Sequence, residues 1–431
     1  MAGSNNPTSD IATLEQRIGR GSLTMAWWSV CSAMFYIFVA ASLATHFGAV
    51  NAIIGMLVTV VIYALINYPL AKYAIRTGLS TLLLSRLLFG RRGAVLATVL
   101  LGLTAIYYAV FEGSVLAITV TKVAPSVSYV VACVIVVLCS VPLVIGSVQH
   151  RLSRFSAILL PIYLGGLALL VYLAGTTYGF SMRWLDVGPA GIDTIRIANC
   201  VAAYVGIFVL MMVTVDFSRL GQPSDAEFHA RFSFGAPFYL VTYFLNGVVG
   251  IFVVGTVQAA EISEVAVVDA TLLVLGPLVG LAFIWATQTR INATNFYVST
   301  VNFEAVVESL LNLRWPRVVY ALAVGGVVFA LMASTDVFSG LLMALQYQSI
   351  FVTAWVALAL QFVLADRREA GEVHAQLDAA PEIEHRGLIA WIAGAACGLI
   401  AAHLPGVIPA LPPLLSFMVP VLVYSLLRRR S

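Results

Sequence analysis

The sequence predicts an all-α integral membrane protein with twelve transmembrane helices, and three observations lead to that prediction. Hydrophobic residues make up 61% of the 431 residues and charged residues only 10%, whereas a soluble domain carries about 25% charged residues. Apolar segments of the length that crosses a bilayer, about 20 residues, recur twelve times along the chain. Lysine and arginine residues concentrate in alternate connections between these segments.

The apolar segments follow one another through the whole chain, and the longest polar stretch lies between the tenth and the eleventh. The predicted spans are 24–45, 51–73, 94–121, 127–145, 155–175, 197–215, 235–257, 271–301, 317–333, 337–364, 387–404 and 408–427. From them we expect a cytoplasmic tail at 1–23, spans 1–5 within 24–175 and spans 6–10 within 176–364. A cytoplasmic linker at 365–386, spans 11–12 within 387–427 and a second cytoplasmic tail at 428–431 follow.

Basic residues indicate how the chain is oriented. If residues 1–23 lie in the cytoplasm, 19 of the 23 lysine and arginine residues fall in cytoplasmic loops and tails, and three fall on the opposite side. Because cytoplasmic loops carry such an excess, we expect a multi-pass protein of the cell inner (plasma) membrane with both termini in the cytoplasm. The one remaining basic residue, Arg290, lies inside an apolar run.

Several functional classes receive no support from the sequence. The net charge of +3 is too small to indicate a nucleic-acid partner. The chain lacks GxSxG, HExxH, P-loop and CxxC motifs, which are typical of hydrolases, metalloproteases, nucleotide-binding proteins and redox proteins. Its five cysteines show no metal-ligand spacing. We therefore expect no enzyme activity, no cofactor and no metal centre.

The most informative polar stretch is 286–297, which reads A-T-Q-T-R-I-N-A-T-N-F-Y. Residues three or four apart share a helix face, so the polar side chains form two adjoining stripes. The stripes are Thr287, Arg290 and Thr294, and Gln288, Asn292, Asn295 and Ser299. A guanidinium within a span is costly unless it faces the bundle interior, a partner or a wet cavity. We interpret this face as one wall of a transporter's binding site; a structural ion pair or a clamp on backbone carbonyls is the alternative.

Glu112 is a second ionisable group expected deep within a span. It shares a face of the third span with Thr104 and Tyr108, because these residues are spaced four apart. Burial disfavours a charged carboxylate, so the group should be protonated, paired with a cation or bound to a cationic ligand. We hypothesise that Glu112 and Arg290 face one cavity; a structural pairing is the alternative for each. Asp216, near the end of the sixth span, is interpreted as a capping carboxylate.

Three sequence runs resemble one known family, the nucleobase–cation symporters, which include the cytosine, purine and hydantoin permeases. The run Y-A-I-R-T-G-L-S-T-L-L-L-S-R-L-L-F-G-R-R-G-A at 73–94 is similar to the family's motif after its second span. V-D-F-S-R at 215–219 is similar to its P-D-F-x-R element, with Val in place of Pro, and N-A-T-N-F-Y-V-S-T-V-N-F at 292–303 resembles its eighth span. With twelve spans in the same order, the resemblance covers nearly the whole chain.

The resemblance implies a LeuT-like fold. Spans 1–5 and 6–10 would form a 5+5 inverted repeat, and spans 11 and 12 would be two added C-terminal helices. Spans 1 and 6 would be broken in mid-membrane and would enclose the substrate together with spans 3 and 8. Such breaks often coincide with glycine or proline, but residues 24–47 contain neither and residues 200–215 contain only Gly206. The breaks are therefore implied by the resemblance and not by the sequence pattern.

The resemblance also implies a substrate site. The stacking aromatic of span 3 falls on Tyr108, and the polar ligand of that span falls four residues later, on Glu112. The substrate-binding asparagine of span 8 falls on Asn295. The aromatic of span 6 falls near Ile207 or Phe208.

Sodium-coupled relatives hold their ion between carbonyls of span 1 and a Ser/Thr pair of span 8. The span 1 positions fall near Ser29 and Ser32, and we count Ser32 with the substrate site as well. The span 8 pair falls on Thr289 and Arg290. Arg290 departs from the family pattern, because a fixed positive charge repels sodium and arginine does not deprotonate. We therefore expect Arg290 to replace the ion and transport to be independent of sodium.

The expected function is that of a secondary active transporter, a permease that imports a small nitrogenous heterocycle of the nucleobase, hydantoin or allantoin type. Coupling would use protons accepted by Glu112, or transport would be facilitated exchange. One alternative is a transporter of the same fold for a cationic or amidine-like nitrogen compound recognised by Glu112. A second is a non-transporting membrane sensor or channel. The expected partners are the substrate, the lipid bilayer and protons, and we expect a monomer.

Overall fold

The computed structural model describes residues 8–144, 148–257, 264–334 and 341–429, and most of these residues are helical. The helices, in chain order, are α1 Arg20–Trp27, α2 Phe35–Phe47, α3 Ala49–Thr77, α4 Thr81–Val123, α5 Tyr129–Val144, α6 Val148–Tyr178, α7 Thr194–Val205, α8 Val209–Ser218, α9 Pro223–Val257, α10 Glu264–Leu275, α11 Pro277–Leu311, α12 Arg317–Ser334, α13 Leu341–Ala365, α14 Ala370–Asp378, α15 His385–His403 and α16 Leu411–Arg429. The predicted segments also contain residues 1–7, 145–147, 258–263, 335–340 and 430–431, which lie outside the described residues.

The described helices confirm an all-α, multi-pass membrane protein. Eight of them are long and apolar enough to cross a membrane, and the number is ten if each of two bent helix pairs forms one span. The shorter α5 and the more polar α11 occupy the predicted spans 4 and 8. The count of twelve and the division into two repeats stay predictions.

The first bent pair consists of α1 and α2, which meet at an angle of 42°. A 3₁₀ turn, Trp28–Ser32, follows α1, and Ala33 has extended backbone with ψ of 124°. A broken helix leaves backbone N–H and C=O groups without intrahelical partners, and inside a membrane these groups need partners from other helices. The break therefore creates polar backbone at the centre of the bundle.

The second bent pair consists of α7 and α8, which meet at 44° around Gly206, Ile207 and Phe208. A Cβ atom at Gly206 would lie 2.6 Å from the carbonyl oxygen of Leu345. That distance is too short for any side chain, so glycine is required for α13 to pass this close. Both breaks fall in the spans for which the resemblance implied them.

Several predicted boundaries differ from the structure, among them the start of span 8 and the extent of the 365–386 linker. Predicted span 8 began at residue 271, but residues up to Leu275 belong to α10, and α11 starts after Gly276. Gly276 has a φ of 79°, and Pro277 follows as the first helical residue, a position that suits proline because its missing N–H would be unpaired there. The 365–386 linker contains α14, whose Val373 and Leu377 are buried, so part of it packs on the protein.

Candidate functional site

A small cavity of about 40 Å³ lies where the two helix breaks meet α4 and α11. Most of its walls are aliphatic or aromatic, and none of the described residues that line it is a lysine, arginine or histidine. The polar side chains that line it are Tyr36, Thr104, Tyr108, Glu112, Thr294 and Asn295. Small-molecule sites are typically mostly apolar cavities of about 300–1,000 Å³ with a few polar groups. The lining of this cavity has that composition, and the cavity would have to widen to hold a heterocycle.

One polar stripe of α11 faces the first broken span. Nη2 of Arg290 donates a hydrogen bond of 3.2 Å to the Trp28 carbonyl oxygen. The hydroxyl oxygens of Ser29 and Thr294 are 3.4 Å apart, and the Ser32 hydroxyl donates to the Thr287 carbonyl oxygen at 3.4 Å. This stripe therefore joins α11 to the 3₁₀ turn that precedes the break.

Arg290 is buried, with 0% of its surface exposed. Its Nε and Nη1 atoms have no hydrogen-bond partner among the described residues, and no carboxylate in that part of the chain forms an ion pair with it. The titratable groups in electrostatic contact with it are Cys31 and Tyr163. The Cys31 carbonyl oxygen accepts a hydrogen bond of 2.7 Å from Asn246 Nδ2. Arg290 thus places a permanent positive charge beside the polar backbone of span 1.

The other stripe of α11 faces α4. Nε2 of Gln288 donates a hydrogen bond to Oε2 of Glu112, and the Met34 N–H donates to Gln288 Oε1 at 3.3 Å. The backbone N–H of Phe35 is also directed at the Glu112 carboxylate. Met34 is the N-cap residue of α2, and a negative charge is favourable at a helix N-terminus. Glu112 and Gln288 therefore supply partners for the backbone that the break leaves open.

Tyr108 and Asn295 lie at the cavity, as the resemblance implied. The Tyr108 ring makes an edge contact with Phe35, with 5.0 Å between ring centroids, and its hydroxyl accepts a hydrogen bond of 3.1 Å from Gln348. Asn295 is 7% exposed, and its Nδ2 has no hydrogen-bond partner among the described residues. Both side chains are placed to contact a ligand.

The remaining expected residues are divided between the cavity and its surroundings. Ile207 lines the cavity. Phe208 does not; it packs edge-on against Tyr63 at 5.0 Å and lines an outer apolar groove. It follows Ile207 in a tight turn with hydrogen bonds between residues three apart, so the two side chains are about a third of a turn apart. Ser29 and Ser32 form the contacts of span 1 with α11. Thr289 is half-buried, and no hydrogen bond from it to span 1 occurs within the described ranges.

The hypothesis that Glu112 and Arg290 face one cavity is not met. Glu112 lines the cavity, whereas Arg290 is absent from its walls. The helix turn explains the difference, because α11 presents Ile291, Thr294 and Asn295 to the cavity and directs Arg290 at Trp28. The two ionisable groups therefore occupy separate polar environments.

Two contacts of α11 were not assigned from the sequence. Gln288 is the partner of Glu112, and Thr294 both lines the cavity and contacts Ser29. The periodicity of the polar stripes contained both residues, but it did not show which helix each stripe would meet. Asp216 behaves as interpreted, since its Oδ1 accepts a 2.7 Å hydrogen bond from the Thr81 N–H at the start of α4.

Comparison with known families decides what kind of protein this is. Residues 13–420 match the family described as "Permease for cytosine/purines, uracil, thiamine, allantoin". The chain belongs to this permease family. The protein is therefore a membrane permease and not an enzyme, and the cavity at its helix breaks is the natural candidate for the transport site.

Solved structures similar to the permease support the same fold. Mhp1, a nucleobase-cation-symport-1 family transporter in a closed conformation with bromovinylhydantoin bound, has a TM-score of 0.78 at 13% identity and covers 99% of this chain and 95% of its own. Inward-facing Mhp1 has a TM-score of 0.72 at 12% identity, with 96% and 92% covered. MhsT in complex with L-phenylalanine has a TM-score of 0.61 at 13% identity, with 95% and 97% covered.

These identities are low enough that the structural matches establish the fold alone. No curated protein sequence matches the permease significantly. The LeuT-like fold implied by the sequence runs is confirmed, and the transport substrate and its coupling are matters for proposal.

Proposed function

We propose that the permease imports a small nitrogenous heterocycle of the nucleobase, hydantoin or allantoin type across the plasma membrane, as a monomer and without sodium. Arg290 would take the place that sodium occupies in sodium-coupled relatives. The observation that carries this proposal is the hydrogen bond from Arg290 Nη2 to the Trp28 carbonyl oxygen at the break of span 1.

Electrostatics supports the exclusion of sodium from that place. Two unit positive charges about 4 Å apart repel by about 4 kcal/mol at an effective dielectric constant near 20. Arginine remains charged at all physiological pH values, so the repulsion is permanent. A bound sodium ion would also compete with Arg290 for the same carbonyl oxygen of Trp28. The bridge between spans 1 and 8 would then be a hydrogen bond from a charged side chain of span 8, and it would not depend on an ion gradient.

Glu112 is the proposed group for proton coupling. It is 1% exposed and lines the cavity. A substrate in the cavity, and a proton that enters with it, would therefore both reach the Glu112 carboxyl group. Carboxylates accept N–H groups when ionised and donate one O–H when protonated. A change in its protonation would therefore change how tightly a ligand is held. Facilitated exchange without proton coupling remains the alternative mode of transport.

Purified permease in proteoliposomes gives the direct test. A thermal-shift screen of cytosine, uracil, hypoxanthine, hydantoin and allantoin would first identify a ligand, since a compound that binds only the folded state raises the unfolding temperature. Uptake of that radiolabelled compound is then measured with an inward proton gradient and no sodium. We expect accumulation above the equilibrium level. If only a sodium gradient supports accumulation, the proposal is wrong.

A second candidate substrate is a cationic compound such as an amidine. The cavity contains the carboxylate of Glu112 and no basic side chain among its lining residues, which favours a cation. The same thermal-shift screen, extended to benzamidine and acetamidine, distinguishes the candidates. Stabilisation by amidines and not by neutral heterocycles would favour the cationic substrate.

A further inference from the structure

The side-chain amide of Gln288 is held in one orientation by a backbone N–H, which can act only as a hydrogen-bond donor. The Met34 backbone N–H only donates hydrogen bonds, and it lies 3.3 Å from Gln288 Oε1. The amide oxygen must therefore face Met34, and the amide NH₂ group must face Glu112. This assignment agrees with the donor contact from Gln288 Nε2 to Glu112 Oε2. All three residues are buried, so water does not compete strongly for these contacts.

The fixed amide makes the two oxygens of Glu112 unequal. Oε2 accepts the hydrogen bond from Gln288, and in a carboxylic acid the better acceptor is the carbonyl oxygen. We propose that Gln288 is a positioning residue that keeps Oε2 as an acceptor and confines the exchangeable proton of Glu112 to Oε1. On protonation one proton adds to Oε1 and the group becomes neutral; on release the proton leaves the same oxygen, and Oε2 keeps its partner throughout.

Besides burial, the groups that bear most on the protonation of Glu112 are the Gln288 amide and the Phe35 backbone N–H, which is also directed at the carboxylate. The titratable groups in electrostatic contact with it are phenols: Tyr36 on α2, Tyr108 on α4 and Tyr163 on α6. Arg290 is directed at Trp28 and does not line the cavity. No basic side chain of the described residues pairs with the carboxylate.

The orientation of Gln288 beside Glu112 bears on the class of substrate. This step rests on the proposed function, because it assumes that Glu112 contacts the ligand. A planar amidinium binds a carboxylate through two parallel hydrogen bonds, one to each oxygen, and at Glu112 it would have to share Oε2 with the Gln288 amide. An edge with one N–H or one carbonyl group needs only Oε1 and does not compete with Gln288. The substrate class is therefore a neutral cyclic amide, with an N–H read by ionised Glu112 or a C=O read by protonated Glu112.

The decisive readout is the infrared carbonyl band of protonated Glu112, identified as the band that Glu112→Gln removes. In Gln288→Met the carbonyl oxygen loses its donor, so the band should move to higher frequency. The ionised form loses the same donor, so the pH midpoint of the band should rise by about one unit or more. Ser299→Ala is the matched control, because the Ser299 hydroxyl bonds only within its own helix. It should leave both quantities unchanged.

An unchanged band frequency and midpoint in folded Gln288→Met would overturn the proposal. If Gln288→Met does not yield a monodisperse protein, Gln288→Glu decides the matter. A second carboxyl group beside Glu112 should split the titration into two steps, since adjacent acids share a proton. A single step at the wild-type midpoint would overturn the proposal equally.

A ligand measurement separates this inference from the proposed function. Uracil and benzamidine are used as probes, and the ratio of their dissociation constants is compared between wild type and Gln288→Met. We expect benzamidine to gain at least tenfold relative to uracil in the variant, because it no longer shares Oε2 with Gln288; an unchanged ratio contradicts the inference. If neither probe nor any other heterocycle binds wild type, the proposed function fails, whereas the infrared band still tests the positioning of Glu112.

Discussion

The two polar stripes of α11 have similar composition but face different chemistry. The stripe of Thr287, Arg290 and Thr294 contacts the 3₁₀ turn of span 1 through a charge that cannot change. The stripe that contains Gln288 and Asn295 faces α4 and the cavity, where Glu112 can gain or lose a proton. The difference teaches that one helix can direct a permanent charge at one neighbour and, from another face, contact a carboxyl group on a second neighbour, provided that its turn keeps the two faces apart.

Because the two stripes face different surroundings, mutations on each stripe should have different effects. Changes on the stripe facing span 1 should alter the response to sodium and the stability of the broken helix. Changes at Glu112 and its neighbours should alter ligand affinity and the response to pH. A variant that moves both responses together would show that the two environments are coupled more closely than their geometry indicates.

The largest expected effect is at Glu112. A pH difference of one unit supplies about 1.4 kcal/mol, which is tenfold accumulation for one proton per substrate. Glu112→Gln should abolish this gradient-driven accumulation in proteoliposomes, because the amide neither binds nor releases the proton. Ser299→Ala is the control and should accumulate substrate as wild type does. Wild-type pH dependence in Glu112→Gln would remove Glu112 from the coupling mechanism.

The next effect concerns the other stripe. Arg290→Thr removes the fixed charge and provides a hydroxyl at the position where sodium-coupled relatives carry one. Sodium at ten times its dissociation constant should then stabilise the variant by about 1.4 kcal/mol, measured by thermal unfolding. Arg290→Val is the control, because valine has nearly the shape of threonine but no hydroxyl. Sodium should stabilise Arg290→Val and the wild type less than it stabilises Arg290→Thr. Equal stabilisation of all three proteins by sodium would contradict the proposal that Arg290 occupies the place of the sodium ion.

A smaller effect is expected at Asn295. Its Nδ2 has no hydrogen-bond partner within the described residues and the side chain lines the cavity. Asn295→Ala should weaken ligand binding by about 1 kcal/mol, the typical contribution of one hydrogen bond, without changing the response to sodium. Isothermal titration at constant pH measures the change. Unaltered affinity would place the ligand elsewhere in the cavity.

The smallest effect is expected at Ser29. Ser29→Ala removes the 3.4 Å contact with Thr294 and the hydroxyl bond to the Ala26 carbonyl. Because the first contact is long and the second is local, the free energy of unfolding should fall by only about 0.5 kcal/mol. Denaturant unfolding in detergent measures this difference. A loss several times larger would mean that Ser29, and not Arg290, holds span 1 against α11.

Sequence reasoning reached the fold and much of the cavity, and its failures have physical causes. Periodicity identified the stripes, and the cost of a buried guanidinium predicted that Arg290 would be enclosed, as its 0% exposure confirms. The break in span 1 was not visible because side chains from other helices hold it: Arg290, Gln288 and Asn246 contact its backbone. No local pattern near residue 33 encodes those partners.

The sequence left Ile207 and Phe208 both as candidates for a related reason. Helical spacing assigns faces only where the chain is helical, and both residues lie in the turn between α7 and α8. The structure places Ile207 at the cavity and packs Phe208 on Tyr63. Likewise, the pairing of Gln288 with Glu112 depends on how α4 and α11 are rotated, which periodicity within each helix does not determine.

The most direct test of the account uses wild-type permease in proteoliposomes with the membrane potential held constant by potassium and valinomycin. The initial rate of uptake of an identified substrate is measured while external sodium is replaced stepwise by N-methyl-D-glucamine. With the Arg290 guanidinium already at the break of span 1, the rate should be the same at every sodium concentration. A rate that rises with sodium and saturates would contradict the account, because it would require an ion site that Arg290 does not replace.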